Sequence, residues 1–276
     1  MFSEHTLHPL ASVINLSKPC REQQLSLDCY AVMITDSLPY GACCEPCNCD
    51  YAAATVTFAP PGEHIEAEGE LNGRLLLFHP DLTKAESLGT KMPGYTFFYY
   101  HNDNEALHLS VREKRLLERC TDFVDEELHW GIDRFSRTLL CNKIELLLNY
   151  CLRFYERQFI LRHDINHDTI SKITERIDNY LLSGCAATKG LPRPDAVAAW
   201  AGHSEPYTSD MLHNETGFTT AEYVEKRRMD VARHMLTCSS LSISDIAHRL
   251  GFACKSTFCR LFEQCNGCSA AQYRNQ

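Results

Sequence analysis

The sequence predicts an α+β protein in which an antiparallel β region comes first and an all-α region follows. In the first part of the chain, short apolar runs alternate with Pro and Gly turns, which is typical of short strands. Further along, apolar residues recur at three- and four-residue steps, which is typical of amphipathic helices. The chain has 276 residues, enough for two domains that each bury a core. We expect these to be residues 1–165 and 166–276, divided near the polar stretch Arg162–Asp168.

Three apolar runs in the first region predict β-strands, namely Ala31–Ile34, Thr55–Phe58 and Arg74–Phe78. They are separated by segments rich in turn-forming residues, such as Pro39–Gly41 and Pro60–Gly62. Because strands joined by tight turns pair antiparallel, we expect an antiparallel sheet.

Two amphipathic helices are predicted after the strands, within residues 113–159. The second, Asp133–Gln158, is about seven turns long and carries a broad apolar stripe. The periodicity shows that this stripe is buried, but it does not show which surface covers it. Packing on the chain's own sheet and pairing with a second copy both remain open.

The charge and cysteine content limit the class of protein. The net charge is −9, but residues 169–276 hold 12 Lys and Arg against 11 Asp and Glu, so the acidity belongs to the first region. No run approaches the roughly 18 apolar residues of a membrane helix, and Met1–Val13 does not read as a signal peptide. We therefore expect a cytoplasmic protein whose 15 cysteines are mainly reduced.

A helix, a tight turn and a second helix are predicted over Leu241–Arg274. Ser244 is the expected N-cap of the first helix, and Gly251 supplies the positive φ of the turn. If Phe258 and Phe262 point inward, one outward face is available to enter a DNA major groove. That face consists of Lys255, Ser256, Cys259 and Arg260.

The same pattern occurs about 50 residues earlier. A helix over Ala196–Ala201 is followed by a turn, and a second helix over Pro206–Glu215 carries Pro206, Ser209 and Asp210 as candidate DNA contacts. A long helix over Thr219–Thr237 joins the two units, and we expect its basic residues to point largely outward. Those residues are Lys226, Arg227, Arg228 and Arg233.

The segment from Ser244 to Phe262, with Gly267 and Tyr273-Arg274 after it, resembles the signature of the AraC/XylS transcription regulators. The resemblance extends over Ile170–Arg274. It implies a DNA-binding regulator that recognises double-stranded promoter DNA, forms a homodimer and contacts RNA polymerase. It also implies a cupin-like N-terminal domain that binds a small-molecule effector.

Several residues depart from the family pattern. Asp210 stands where many members have a DNA-contacting Arg, His213 and Asn214 replace basic residues, Glu263 replaces a Lys and Ala270 replaces a Pro. Each lost cation removes about one counterion release on DNA binding. We therefore expect most direct contacts from the second unit.

The sequence also offers residues for two other kinds of site. The cluster Cys43, Cys44, Cys47 and Cys49 has ligands for zinc or another soft metal and thiols for redox sensing, and a thiol-based sensor is the alternative function. The second is a cupin-type metalloenzyme with a triad of His64, Glu66 and His79. Because the sequence has no nucleotide-binding Gly-rich loop or hydrolase motif, we expect neither enzyme activity nor a cofactor.

Overall fold

A computed structural model describes residues 9–16, 25–26, 28–36, 49–65 and 72–275. The chain divides into two compact units, Met1–Leu161 and Arg162–Gln276. The boundary predicted after residue 165 lies inside a helix, His163–Leu182. Within the described ranges, no helix combines the length and the apolar character needed to cross a membrane.

The described residues of the first unit form a five-stranded and a two-stranded sheet, and the strand pairs among them are antiparallel. The strands are β1 (Ala11–Asn15), β2 (Leu25–Ser26), β3 (Tyr30–Asp36), β4 (Ala54–Ala59), β5 (His64–Ile65), β6 (Gly73–Phe78) and β7 (Leu107–Leu109). The larger sheet has the order β1-β6-β3-β4-β7, and β2 pairs with β5. The three runs predicted as strands form most of β3, β4 and β6.

The larger sheet is buried on both faces. Met33 and Leu75 are cross-strand partners and belong to one apolar cluster. Val32 and Leu76, also partners, point to the opposite face and are fully buried. Burial on both sides explains why these strands are continuous apolar runs rather than alternating ones.

The α-helices in the described part of the first unit are α1 (Pro80–Thr83), α2 (Ser87–Lys91), α3 (Val111–Leu128) and α4 (Ser136–Leu161), and β7 lies between α2 and α3. A capping box between Ser110 and Glu113 begins α3. The stripe of α4 that includes Leu140, Ile144 and Leu147 is buried. Because α4 packs against α3 and β7, this stripe is covered by its own chain.

The second unit is entirely helical in its described part. Its helices are α5 (His163–Leu182), α6 (Cys185–Lys189), α7 (Pro194–Ala201), α8 (Glu205–Thr216), α9 (Thr220–Cys238), α10 (Ile243–Arg249), α11 (Lys255–Asn266) and α12 (Ala270–Arg274). The predicted class, antiparallel β first and all-α second, is confirmed.

Helix α9 packs against α5, α7, α8, α10 and α12. Its N-terminus is closed by a capping box between Thr219 and Glu222, which holds the pKa of the Glu222 carboxyl below its usual range through backbone and hydroxyl hydrogen bonds from Thr219. Near that end, the Tyr223 hydroxyl lies 2.7 Å from Thr174 Oγ1 on α5. The helix therefore joins the other helices of this unit into one core.

The predicted N-cap of α10 was wrong by two residues. Ser242 is the cap: its hydroxyl accepts a hydrogen bond from Asp245 N (3.1 Å), and the Asp245 carboxylate accepts from Ser242 N (3.3 Å). Ser244 lies inside the helix and is exposed. The reciprocal bond requires an acidic or amide side chain three residues after the cap, which Ser242 has and Ser244 lacks.

Candidate nucleic-acid interface

The turn between α10 and α11 depends on Gly251. Its φ is +76°, a region that only glycine enters without strain. A Cβ placed there would lie 2.6 Å from the carbonyl oxygen of Ala186 on α6. The next residue, Phe252, is buried and fills the angle between the two helices. The turn is therefore restricted by its own backbone and by the neighbouring helix.

Arg228 on α9 braces this turn, and the prediction that it points outward was wrong. Its side chain is buried: Nε donates to the carbonyl of Leu250 (2.8 Å), and the guanidinium lies 3.4 Å from the centre of the Phe252 ring. It also pairs with Glu225 (3.2 Å), while burial lowers its pKa. The Leu250 carbonyl, the Glu225 carboxylate and the Phe252 ring face together offset the cost of burying this cation.

The inner face of α11 forms an aromatic core. Phe258 and Phe262 have no exposed surface, and their ring centroids are 5.6 Å apart. Phe252 packs against Phe258 at 5.3 Å, and Tyr273 of α12 packs against Phe262 at 5.4 Å. This packing fixes the rotation of α11 about its axis, and so determines which side chains face outward.

The outer face of α11 carries the residues predicted to contact DNA. Lys255, Ser256 and Arg260 are exposed, and Cys259 is half-buried between them and the core. Lys255 and Ser256 are the first two residues of the helix, where backbone N–H groups favour a negatively charged partner. Lys255 therefore lies at the N-terminus of α11, and Arg260 is exposed about one and a half turns further along the helix.

Cys254, the N-cap of α11, was not predicted as part of the site. Its Sγ lies 3.0 Å from Ser256 Oγ and 3.1 Å from Thr257 Oγ1, and the thiol is exposed. Hydrogen bonds from Ser256 and then Thr257 favour the thiolate and lower the pKa of Cys254 to about 7. The sequence signal was a cysteine followed at two and three residues by hydroxyls at a helix start.

The first helix-turn-helix unit, α7 and α8, has the same turn geometry as the second, α10 and α11. Gly202 has φ +72°, Ser204 Oγ accepts from Tyr207 N (3.4 Å), and α8 buries Tyr207 and Met211. The outward side of α8 presents the predicted contacts, all of which are half-buried: Pro206, Ser209 and Asp210.

The charges around α8 differ from those around α11. Residues 194–217 contain no Lys or Arg and four carboxylates, those of Asp195, Glu205, Asp210 and Glu215. Residues 243–266 contain Arg249, Lys255 and Arg260 against Asp245 and Glu263. The positive charge of the two units is therefore confined to the second.

Two further basic residues of α9, predicted to point outward, are engaged within the unit. Arg227 donates to Asp178 of α5 (2.6 Å) and also pairs with Asp230. Arg233 donates to Asn266 of α11 (2.9 Å) and to Asp230. Both side chains are half-buried, so most of the α9 cations act in packing.

Most residues of the two metal sites considered possible from the sequence lie outside the described part of the chain. Cys43, Cys44 and Cys47 lie outside them, as does the side chain of Cys49, so that prediction stays a prediction. For the triad, the His64 side chain and Glu66 also lie outside, and His79 Nδ1 accepts a hydrogen bond from Asp81 N (3.1 Å) at the start of α1. The described part of the chain has no group of three metal-binding side chains.

Comparison with known proteins gives matches to the C-terminal unit of this chain. A helix-turn-helix domain family matches residues 197–276. PqrA of Proteus vulgaris, a probable transcription factor, is 34% identical over 29% of this chain and 66% of its own length. RhaS of Escherichia coli, an HTH-type transcriptional activator, is 37% identical over 25% of each chain. The matched segments thus span less than two thirds of these relatives.

A likeness over the whole chain is also found. ToxT from Vibrio cholerae aligns over 96% of this chain and 97% of its own, with 13% identity and a TM-score of 0.32.

Two glycine-turned helix pairs and the family match over residues 197–276 define the C-terminal region as a helix-turn-helix DNA-binding domain. The domain is of the AraC type, and the resemblance to the AraC/XylS regulators predicted from the sequence is confirmed.

Proposed function

We propose that this protein is a sequence-specific DNA-binding transcription regulator whose second helix-turn-helix unit reads promoter DNA. One observation carries the proposal: Lys255 and Arg260 are exposed on α11, whereas Phe258 and Phe262 on the opposite face are fully buried. A helix held in this way presents cations to a major groove, where Arg and Lys bond guanine edges or phosphates.

The proposed contacts divide unequally between the two units. Lys255, Ser256, Cys259 and Arg260 supply the second unit's base and phosphate contacts. Pro206, Ser209 and Asp210 supply the first unit's contacts, which lack a cation and therefore add little affinity for phosphate.

The N-terminal domain, residues 1–165, is proposed to bind a small-molecule effector and to form a homodimer, while residues 166–276 bind DNA. Effector binding changes promoter affinity or contact with RNA polymerase by favouring one conformation over another. In this scheme the protein works in the cytoplasm as a regulator, without catalysis and without a cofactor.

Exposed apolar side chains support the dimer. Phe135, Leu139 and Leu146 of the α4 region are each more than 40% exposed and recur at helical spacing. We expect Leu139→Glu to shift the protein towards monomer in analytical ultracentrifugation, since a carboxylate does not transfer into an apolar interface. A dimer of unchanged strength would remove this face from the interface.

The DNA proposal is tested by Arg260→Ala. Genomic fragments captured by the purified protein supply an operator, and its affinity is then measured by gel shift. Loss of one good base contact should weaken specific binding by about 1 to 3 kcal/mol.

Arg112→Ala is the matched control because Arg112 is an exposed arginine on α3, in the N-terminal unit and outside both helix-turn-helix units. It should leave operator affinity unchanged. Equal affinity of the Arg260→Ala protein and the unaltered protein would contradict the proposed reading face.

A further inference from the structure

A groove of about 680 Å³ lies on the C-terminal unit, between α5 and the last turn of α8. Its lining includes two histidines at the start of α5, His163 and His167, and a carboxylate from α8, Glu215. None of these three side chains is among the proposed DNA contacts. The groove therefore holds ionisable groups for which the proposed function has no use.

The two histidines share one face of α5. Residues at positions i and i+4 of a helix are neighbours, and histidines at this spacing hold zinc in helical metal sites. The ring centroids of His163 and His167 are 6.2 Å apart, and both side chains are exposed. Because a metal–imidazole bond is about 2.1 Å long, two rings that bind one ion have centroids about 5 to 6 Å apart. A small side-chain rotation thus brings both rings onto one ion.

The carboxylate of Glu215 orients His163. His163 Nδ1 lies 2.7 Å from Glu215 Oε2, and the other oxygen of Glu215 accepts from Asn166 Nδ2 at 3.3 Å. An ionised carboxylate only accepts, so in the neutral ring Nδ1 carries the proton and Nε2 keeps its lone pair. Metal-binding histidines have this same arrangement, with the second nitrogen donating to a carboxylate. Since Glu215 is only 13% exposed, it is a well-fixed acceptor.

The available donors determine the kind of ion. Imidazole nitrogen suits zinc, nickel and copper, whereas Mg²⁺ and Ca²⁺ prefer oxygen ligands. The described residues include no group of three side chains placed to hold a metal. Two imidazoles would therefore hold the ion, and water would fill its other coordination positions from the open side of the groove.

We propose that His163 and His167 bind one divalent transition-metal ion, such as Zn²⁺ or Ni²⁺, with Nε2 of His163 as a ligand and Glu215 as the positioning residue behind it. The bound ion withdraws electron density from the His163 ring and strengthens its N–H bond to Glu215. Metal binding thereby holds the start of α5 to the end of α8. The site stands independently of DNA binding.

The first test uses Ni²⁺ as the probe, with equilibrium dialysis of the full chain to measure stoichiometry and Kd. The unaltered protein should bind one Ni²⁺ more than a variant with His163→Gln and His167→Gln. Both positions are exposed, so the variant should fold normally, which circular dichroism checks. Equal Ni²⁺ binding by the two proteins, or Mg²⁺ that competes for the extra site, overturns the proposal.

The second test locates the ion. His234→Gln combined with His248→Gln makes the same change on exposed histidines of α9 and α10 and should keep the full stoichiometry. Alkylation of the exposed thiols by iodoacetamide should also leave the extra Ni²⁺ bound, because no cysteine belongs to the site. Loss of that ion in the control variant or after alkylation would assign it to other ligands and overturn the placement.

The third test concerns Glu215 and the link between the helices. Glu215→Gln should keep the stoichiometry and weaken the Kd of Ni²⁺ by about tenfold, as for carboxylates that orient a metal-binding histidine. Saturating Ni²⁺ should raise Tm of the unaltered protein, because a ligand that binds the folded state stabilises it. An unchanged Kd overturns the role of Glu215. An equal rise in Tm of the double histidine variant overturns the link between α5 and α8.

Discussion

The two helix-turn-helix units have the same backbone design and opposite charge. Each turns at a glycine with positive φ, Gly202 and Gly251, and each continues into a recognition helix of 12 residues, α8 and α11. Each of these helices also ends at a left-handed glycine, Gly217 or Gly267. The difference between the units therefore lies in their side chains and surroundings.

The charge difference indicates which unit carries the electrostatic part of DNA binding. The first unit has four carboxylates and no Lys or Arg between residues 194 and 217. The second offers exposed Lys255 and Arg260 beside a helix N-terminus. Since counterion release by cations supplies much of protein–DNA affinity, we expect the two helix-turn-helix units to contribute unequally to DNA binding.

The turns also differ in their surroundings. A Cβ on Gly251 would lie 2.6 Å from the Ala186 carbonyl oxygen, whereas a Cβ on Gly202 would meet no atom within 4 Å. The second turn is thus held by α6, and the first is open. The unit with the exposed cations is the one whose turn tolerates less change.

The largest expected effect comes from substituting these two glycines. Gly251→Ala combines left-handed backbone strain with a backbone collision and should lower the free energy of unfolding of the C-terminal unit by about 3 kcal/mol or more. Gly202→Ala has the strain alone and should cost about 1 kcal/mol. Urea denaturation followed by circular dichroism measures both.

The pair is its own control, because both variants add one methyl group at nearly the same φ. Equal losses of stability would show that the surroundings of the two turns do not matter. The two helix-turn-helix units would then differ in charge but not in how their turns tolerate substitution.

The next effect concerns Asp210. Asp210→Arg replaces a negative charge on the outward side of α8 by a positive one and should raise operator affinity by about tenfold at low salt. It should also steepen the dependence of log K on log salt concentration by about one unit, as for one added phosphate contact. Gel shifts at several salt concentrations provide both quantities.

Glu126→Arg makes the same charge change on an exposed residue of the N-terminal unit, residues 1–161, and should leave affinity and salt slope nearly unaltered. An Asp210→Arg protein that behaves like this control would mean that α8 stays away from DNA. The first helix-turn-helix unit would then have no role in DNA binding beyond supporting the second.

The sequence predicted most of the strongly patterned elements, but it missed the short ones and also the 20-residue helix α5, whose polar start was taken as the division between domains. Helix α4 was predicted because its apolar pattern repeats over many residues. The strands β3, β4 and β6 were predicted because each contains an apolar run bounded by turn residues. β7 has three residues and α1 has four, too few to show a period. They form because tertiary contacts hold them: β7 pairs with β4, and α1 is capped by His79.

Side-chain direction was predictable only where the pattern was unambiguous. The aromatic residues Phe258 and Phe262 fixed the inner face of α11, and Lys255 and Arg260 are exposed as expected, although their contact with DNA stays a prediction. Arg228 was misplaced because its partners, Leu250 and Phe252, lie 22 and 24 residues further along the chain. A basic residue on an amphipathic helix shows its charge but not its partner.

The smallest effect uses Cys254 as a probe of the second unit. Its pKa is lowered to about 7 by hydrogen bonds from Ser256 and Thr257, so the thiolate fraction rises with pH around that value. Alkylation by iodoacetamide should follow the thiolate and reach half its maximal rate near pH 7, below the usual value of about 8.5 for cysteine. Mass spectrometry of the labelled peptide gives the rate at each pH.

Bound operator should slow this labelling, since Cys254 directly precedes Lys255 at the end of α11 assigned to the groove. Cys238, exposed at the end of α9, serves as the internal reference and should react equally with and without DNA. Ser256→Ala with Thr257→Val should move the labelling midpoint upward, because the thiolate loses both hydroxyl donors. Labelling of Cys254 that DNA does not slow would place the N-terminus of α11 outside the interface and reverse the assignment of the two units.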